Sequence, residues 1–205
     1  DFPALKDSIV RANIGETLLK KEGQFSTFDL TSEKSRLVSA FHDNGFYYYR
    51  PDYINYLADT VNHRKHVTLL VQEDKDTPDL AQRQFHLGNV SAYIRSNNSQ
   101  QTTRRVASTD SVANTSTKGS STSHGYGFQY DDSLVMRGLK VVYQGKRLPI
   151  SSKVLFRNFR FWRRQMYNQT KVGQTLTNLH NMNIFSNVRM TFTTRDTTAT
   201  CDTLE

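Results

Sequence analysis

The residues with most capacity for chemistry lie in one run, Phe156-Arg157-Asn158-Phe159-Arg160-Phe161-Trp162-Arg163-Arg164. Arginines interleaved with aromatic rings can neutralise phosphates and stack bases, or rest at a membrane surface with the rings at head-group depth. Helical spacing would place Phe156, Phe159 and Arg163 on one face and Arg157, Arg160 and Arg164 on another. An amphipathic helix with core phenylalanines and a solvated basic face explains the same pattern and is the simpler expectation. The other candidates are weaker. His63 and His66 are joined by no cysteine or carboxylate at a metal-binding spacing, so no metal site is expected. Gly125-Tyr126-Gly127 lacks a third glycine and a following helix, and no Gly-x-Ser-x-Gly elbow surrounds any serine. Asp131-Asp132 and the stretch Asp74 to Asp79 read as solvated turns rather than acid–base pairs. The single cysteine, Cys201, sits in a polar tail without a histidine partner and excludes an internal disulfide. No catalytic residue, metal ligand or cofactor is therefore expected.

Charge narrows the partners without choosing among them. The chain carries 27 Lys and Arg against 19 Asp and Glu, a net charge of +8 and a pI near 9.6. Nucleic acid, acidic lipid head groups and acidic proteins are all compatible with that balance. With 36% hydrophobic and 11% aromatic residues in 205, the chain can bury real cores, either as one large domain or as two of about 100 residues each. No apolar run approaches the ~20 residues that a spanning helix needs. The first residue is Asp1, with neither an initiator Met nor a leader pattern, which reads as a piece of a longer protein.

The elements that must position these residues follow from periodicity and punctuation. Leu5, Ile9 and Val10 predict a helix over residues 4–12, with Pro3 suited to its first turn. Leu30, Leu37, Val38 and Phe41 form the apolar stripe of a second helix, capped by Asp29 or Thr31 and stopped by Asn44 and Gly45. Residues 46–57 are aromatic and β-rich. Pro51 cannot donate to a ladder, so this is expected to be an edge strand, or one broken at Arg50 and Pro51. A second strand, HVTLLV, covers residues 66–71, and a charged linker containing Pro78 follows. Residues 84–94 predict a strand that changes parity at Gly88 and Asn89, as at a bulge. The Ser/Thr-rich stretch at about 96–127 holds too little apolar surface to offset its ordering entropy and reads as a flexible surface insertion. Strand character resumes at 128–130 and 139–143. Ser151 or Ser152 caps a helix carrying Val154, Leu155 and Phe159, a further helix spans 170–181, and a strand at 185–193 presents Val188, Met190 and Phe192 on one face.

Two of these helices belong to a repeat. At a constant spacing of 139 positions (167 less 28), Phe28, Thr31, Leu37 and Phe46 match Tyr167, Thr170, Leu176 and Phe185, which argues for repeated small modules over one large core. The expected class is α+β, with two β-α-α-β-β modules, each a small mixed three-stranded sheet packed on two helices. Residues 1–79 form a module lacking its first strand. Residues 80–205 form a module carrying the insertion and lacking its last strand.

That order, with the Gly23-Gln24-Phe25 turn, the capped second helix and Asn44-Gly45-Phe46-Tyr47 leading into a strand, resembles the polypeptide-transport-associated (POTRA) modules of BamA/TamA-like outer-membrane assembly proteins. The long Ser/Thr insertion and the elements after it look like the last modules before the barrel in surface antigens of the Bacteroidetes type. The second copy departs at Gln165 and Ile184, where the family has a turn glycine and a glycine before the aromatic. The resemblance implies a non-enzymatic region on the periplasmic face of the bacterial outer membrane, attached to its own C-terminal β-barrel. Its partners would be unfolded outer-membrane polypeptides and accessory periplasmic proteins, with extended clients added to a sheet edge. The edge expected to do this carries Phe46, Tyr47, Tyr48, Tyr49, Tyr53 and Tyr56, unless those rings half-bury against the helices. Arg157, Arg160, Trp162, Arg163 and Arg164 would form a membrane-proximal or partner surface. The alternative reading is a basic nucleic-acid-binding protein that uses the same Arg/aromatic cluster.

Overall fold

A computed structural model describes residues 2–21, 23–59, 67–95, 132–136, 138–144, 148–195 and 203–204. The Ser/Thr-rich stretch, His63, His66 and Cys201 lie outside the described residues.

Helix α1 (Ala4–Ala12) starts directly after Pro3 and ends at Asn13, as its periodicity predicts. Helix α2 (Thr27–Asp43) begins earlier than its apolar stripe suggests, because Ser26 rather than Asp29 or Thr31 is the cap. Its Oγ accepts the Asp29 N–H at 3.3 Å, filling one of the orphan donors of the first turn. Gly45, at φ 92°, takes the left-handed position that ends the helix.

The tyrosine-rich stretch that follows is not a strand. Residues 46–50 form turns, Pro51–Tyr53 is a 3-10 turn, and strand β1 starts only at Ile54 (Ile54–Asp59). Phe46 and Tyr49 are three residues apart, a turn spacing, and both rings are buried with Phe41. A strand would have sent them to opposite faces. Strand β1 pairs antiparallel with β2 (Thr68–Glu73), Ile54 opposite Glu73 and Asp59 opposite Thr68. A short helix α3 (Asp79–Gln82) follows Pro78.

The parity change at Gly88 and Asn89 proves to be a change of sheet. Strand β3 (His86–Leu87) belongs to one sheet and β4 (Val90–Ile94) to another. The latter has the order β4-β6-β5, with β5 (Asp132–Met136) antiparallel and β4 parallel to the central β6 (Leu139–Tyr143). Helix α4 (Ser152–Asn158) and helix α5 (Gln169–Asn181) come next, the latter capped by Asn168. Residues 185–193 keep Val188, Met190 and Phe192 against the core without forming a ladder, so their alternation reports packing rather than strand pairing. Strand β7 is shorter and later than expected (Thr194–Arg195). The expectation that the second module lacks its last strand is also corrected, since β8 (Thr203–Leu204) is the central strand of the sheet β3-β8-β7. Strand β3 runs parallel to β8 and β7 antiparallel to it. Leaving aside the separate sheet β4-β6-β5, which comes between β3 and α4 in the chain, the second half has the POTRA-like order of strand, two helices and two strands, with the first strand lying beside the last.

Buried apolar residues form two clusters. One gathers Leu37, Val38, Phe41, Phe46, Tyr49, Ile54 and Ala81. The other runs from Phe85 to Leu179 and draws on β3, β4, β6, α4 and α5.

Candidate functional site at the β1–β2 sheet and the joint between the halves

The six aromatics expected to form a client-binding ladder divide by position. Phe46 and Tyr49 are core residues, with the Tyr49 ring 4.8 Å from Phe41 and 5.7 Å from Tyr53. Tyr53 ends the 3-10 turn. Tyr47 and Tyr48 point toward the second half. Only Tyr56 lies on a strand, where its hydroxyl donates to Leu30 O at 3.2 Å and the Lys34 ammonium sits 5.5 Å from its ring. Burial, then the negative charge of Glu33, push its phenol up to about 12. The apolar groups that the β1–β2 sheet presents to solvent are instead Leu57 and Leu70, directly opposite each other in the register and 51% and 45% exposed. The sequence does not single them out, because each lies in a run of consecutive apolar residues, Tyr56-Leu57-Ala58 and Leu69-Leu70-Val71, and not in an alternation.

Two buried ion pairs hold this sheet and α2 in place, and neither was anticipated. Lys6 on α1 pairs with Glu73 at the end of β2, both nearly inaccessible. The same ammonium lies 4.6 Å from the Tyr49 ring centre and 5.4 Å from that of Phe46, so its charge is met by a carboxylate and two ring faces. Burial first, and then the charge of Glu73, raise the Tyr49 phenol. Glu33 accepts from Arg36 Nε and Arg36 Nη2 at 2.9 and 2.6 Å, from the Leu18 N–H at 2.9 Å and from Thr17 Oγ1 at 2.9 Å. Burial works to raise its pKa, but these donors outweigh it and hold the carboxyl below its ordinary value.

The halves meet where the C-terminus of α2 abuts the N-terminus of α5. Asn168 caps α5 by accepting the Lys171 N–H at 2.8 Å. The preceding orphan donor is filled from the other half, as Asp43 Oδ1 accepts the Thr170 N–H at 2.8 Å and Asp43 Oδ2 accepts Thr170 Oγ1 at 2.7 Å. A carboxylate at a helix N-terminus also complements the helix dipole. Asn168 Nδ2 donates to Asp43 O at 2.9 Å, and His42 Nδ1 lies 2.6 Å from Gln169 Oε1. Beneath these bonds the rings of Tyr47, Tyr167 and Phe192 pack at 4.9 to 5.7 Å, and Tyr48 meets Phe85 at 5.3 Å. Burial, then Tyr47 and Asp43, push the Tyr167 phenol up to about 12. The Phe85 N–H donates to Gly45 O at 2.9 Å. A Cβ on Gly45 would stand 2.8 Å from Met166 Cγ.

The caps of these two helices give a register different from that of the sequence repeat. Aligning the caps pairs Ser26 with Asn168, 142 positions apart (168 less 26), and sets buried Leu37 and Glu33 against buried Leu179 and Thr175. Leu176, the expected partner of Leu37, is half-buried.

The Arg/aromatic run is not one helix. Helix α4 ends at Asn158, Phe159 and Phe161 are buried in the second core, and Trp162 stacks on Phe156 with ring centres 4.2 Å apart. Arg157, Arg160, Arg163 and Arg164 remain exposed. Arg164, at φ 68°, donates its N–H to Leu87 O at 2.7 Å, and the Tyr167 N–H donates to Phe85 O at 2.9 Å. Residues 164–167 therefore run along β3. Asp132 accepts the Tyr143 hydroxyl at 2.7 Å, a bond between strands rather than half of an acid–base pair. Among the described residues no group of His, Cys, Asp and Glu could hold a metal ion, and no helix is long and apolar enough to cross a membrane.

The pairings above define an α+β protein whose second half has the POTRA-like order. No protein-family model and no curated protein matches the chain. Among solved structures it is similar to the POTRA3-5 region of BamA from Haemophilus influenzae, with 12% identity and a TM-score of 0.43 over 98% of this chain and 53% of that one. It is similar also to BamA from Haemophilus ducreyi lacking POTRA domains 1-3, with 12% identity and a TM-score of 0.49 over 100% of this chain and 26% of that one. A third similarity is to POTRA1-3 of the periplasmic domain of Omp85 from Anabaena, with 16% identity and a TM-score of 0.34 over 98% and 56%. The chain thus spans about half of two of these chains and about a quarter of the other.

Proposed function

We propose that the chain is a non-enzymatic periplasmic scaffold, two modules covering 1–79 and 80–205, of an outer-membrane β-barrel assembly or translocation protein. It binds unfolded outer-membrane polypeptides by adding an extended client segment to the β1–β2 sheet. One comparison within the molecule carries this reading. In the second half the central strand β8 takes β7 antiparallel on one side and β3 parallel on the other. In the first half β2 takes β1 antiparallel, and no strand lies on its other side among the described residues. Backbone groups on such an edge bind a strand without a sequence code, and the Leu57–Leu70 pair adds apolar contact for alternate client side chains. Tyr56 lies on β1 with its ring turned to α2, on the face opposite Leu57. Phe46, Tyr47, Tyr48, Tyr49 and Tyr53 support the sheet from beneath or from the joint.

Fluorescence anisotropy with a labelled extended peptide of alternating aromatic and polar residues tests the proposal. Binding is expected, and Leu57→Lys with Leu70→Lys is expected to weaken it, because lysines on an exposed sheet deter strand addition. Equal binding by the double variant would remove the edge from the proposal. The exposed arginines at 157, 160, 163 and 164 give the module a basic flank for an acidic membrane surface or an accessory partner. Base stacking is disfavoured there, since Trp162 already stacks on Phe156. Salt-sensitive binding to single-stranded oligonucleotides, lost on replacing these arginines, would instead favour the nucleic-acid reading.

A further inference from the structure

The excess of positive charge lies in one half of the chain. Residues 80–205 carry 17 Lys and Arg against 6 Asp and Glu, a net charge of +11, whereas residues 1–79 carry 10 against 13, a net charge of −3. Among the described residues of the second half the one carboxylate is Asp132. It is engaged within its own hairpin, accepting the Ser133 N–H and the Tyr143 hydroxyl, each at 2.7 Å. The same half holds the sheet β4-β6-β5, which the POTRA-like order leaves over. Its inner face is core, with Leu139, Val141 and Tyr143 of β6 buried. The register assigns the outer face, where Ser91, Lys140 and Val135 stand in one row across the three strands and Tyr93, Val142 and Ser133 in the next. Tyr93 and Val135 are 62% and 69% exposed, and Lys140 is exposed on the central strand between them.

The arginine run joins this sheet at the hairpin turn. Gly138, at φ 87°, precedes β6, and a Cβ on it would stand 3.8 Å from Arg163 Cβ. Arg163 and Arg164 are exposed, as are Arg157 and Arg160 before them. A single exposed apolar residue needs no explanation. Here an aromatic and a branched apolar group flank a lysine on one sheet face, and a run of arginines adjoins its turn. We propose that the outer face of β4-β6-β5 and the adjoining arginines seat the chain on an anionic lipid bilayer. Tyr93 and Val135 would lie at head-group depth, with Lys140 and Arg163 on lipid phosphates. The chemistry selects a bilayer among acidic partners. A further protein segment docks on the backbone of a sheet edge or in a groove, whereas this surface is the side-chain face of a sheet. Nucleic acid is gripped through free ring faces, but Trp162, next to Arg163, is already stacked on Phe156. Lipid head groups match both features at once, taking the cations on their phosphates and the tyrosine and valine at the boundary with the acyl chains. Membrane seating rests on the basic flank of the scaffold reading above and is independent of strand addition to β1–β2.

Flotation of the full chain with lipid vesicles tests this directly. Binding is expected to vesicles of equal phosphatidylcholine and phosphatidylglycerol, to weaken as salt rises, and to be absent on phosphatidylcholine alone. Lys140→Gln with Arg163→Gln is expected to weaken it at least about tenfold. Tyr93→Ser with Val135→Ser, which leaves the charge unchanged, is expected to weaken it at least about threefold. Circular dichroism and thermal melts check that both double variants fold. In a second measurement, in a Cys201→Ser background, an environment-sensitive dye on Val135→Cys should shift to the blue on anionic vesicles, and the same dye on Leu57→Cys should not. The Tyr93 and Val135 double variant should bind the extended peptide as the parent does, so that failure of membrane seating and failure of client binding are told apart. No binding to anionic vesicles, with or without binding to a single-stranded oligonucleotide, would overturn the proposal. So would equal binding to neutral vesicles, binding that survives either double variant, or a blue shift at position 57 alone.

Discussion

Asp43→Ala isolates the joint. Asp43 contributes a cap to a helix of the other half through two bonds, 2.8 Å to the Thr170 N–H and 2.7 Å to Thr170 Oγ1. Removing a side-chain cap costs about 0.5–2 kcal/mol. Both groups here reach solvent, so water can replace the lost acceptor and the loss falls near ~1 kcal/mol. For a chain of this size that lowers the melting midpoint by about 2–4 °C. Chemical denaturation and differential scanning calorimetry read the stability, and amide exchange reads the Thr170 N–H itself, which should lose protection. A double-mutant cycle with Thr170→Val separates the hydroxyl bond from the rest, with an expected coupling of at least ~0.5 kcal/mol. Unchanged Thr170 exchange together with additive single-variant losses would refute the claim that Asp43 ties the halves together.

Other perturbations test the packing around the sheet and the joint. Gly45→Ala should destabilise by at least about 1–2 kcal/mol, because Gly45 sits at φ 92° and a Cβ would also press on Met166; equilibrium unfolding measures it. Lys6→Ala leaves Glu73 buried without its cation and should cost about 3–5 kcal/mol, whereas Lys6→Met with Glu73→Leu should recover most of that loss. Glu33 is held below its ordinary pKa when folded, so its contribution is fully present above the unfolded value of about 4.3. That contribution disappears as pH falls through the lower folded value. Unfolding midpoints measured downward from pH 5 should show this loss in the parent, and Glu33→Gln should flatten it.

What the sequence made legible is what depends on local periodicity and punctuation. Helix α1 follows from Pro3 and the spacing of Leu5, Ile9 and Val10, and the end of α2 follows from Asn44 and Gly45. The start of α2 was misread because its first turn carries exposed Phe28 rather than a core residue, so the stripe begins a turn after the cap at Ser26. That misreading carried the repeat out of register. The tyrosines misled for another reason. Aromatic content suggests a strand, but Phe46 and Tyr49 bury from a turn, and no local pattern distinguishes these outcomes until Phe41 and Lys6 are packed around them. Strand β8 was invisible because two polar-flanked residues, Thr203 and Leu204, become a strand only by pairing with β3 and β7. The ion pairs of Lys6 and Glu33 join residues 67 and 3 positions away. Sequence alone reads each member as an ordinary surface charge.

The most direct test of client binding is an amide NMR titration of the full chain with an extended outer-membrane strand peptide. Strand addition on the β1–β2 sheet predicts progressive shifts and slowed exchange confined to residues 54–59 and 68–73. Shifts at the Arg157–Arg164 flank or at α5 with those strand amides unmoved would contradict it.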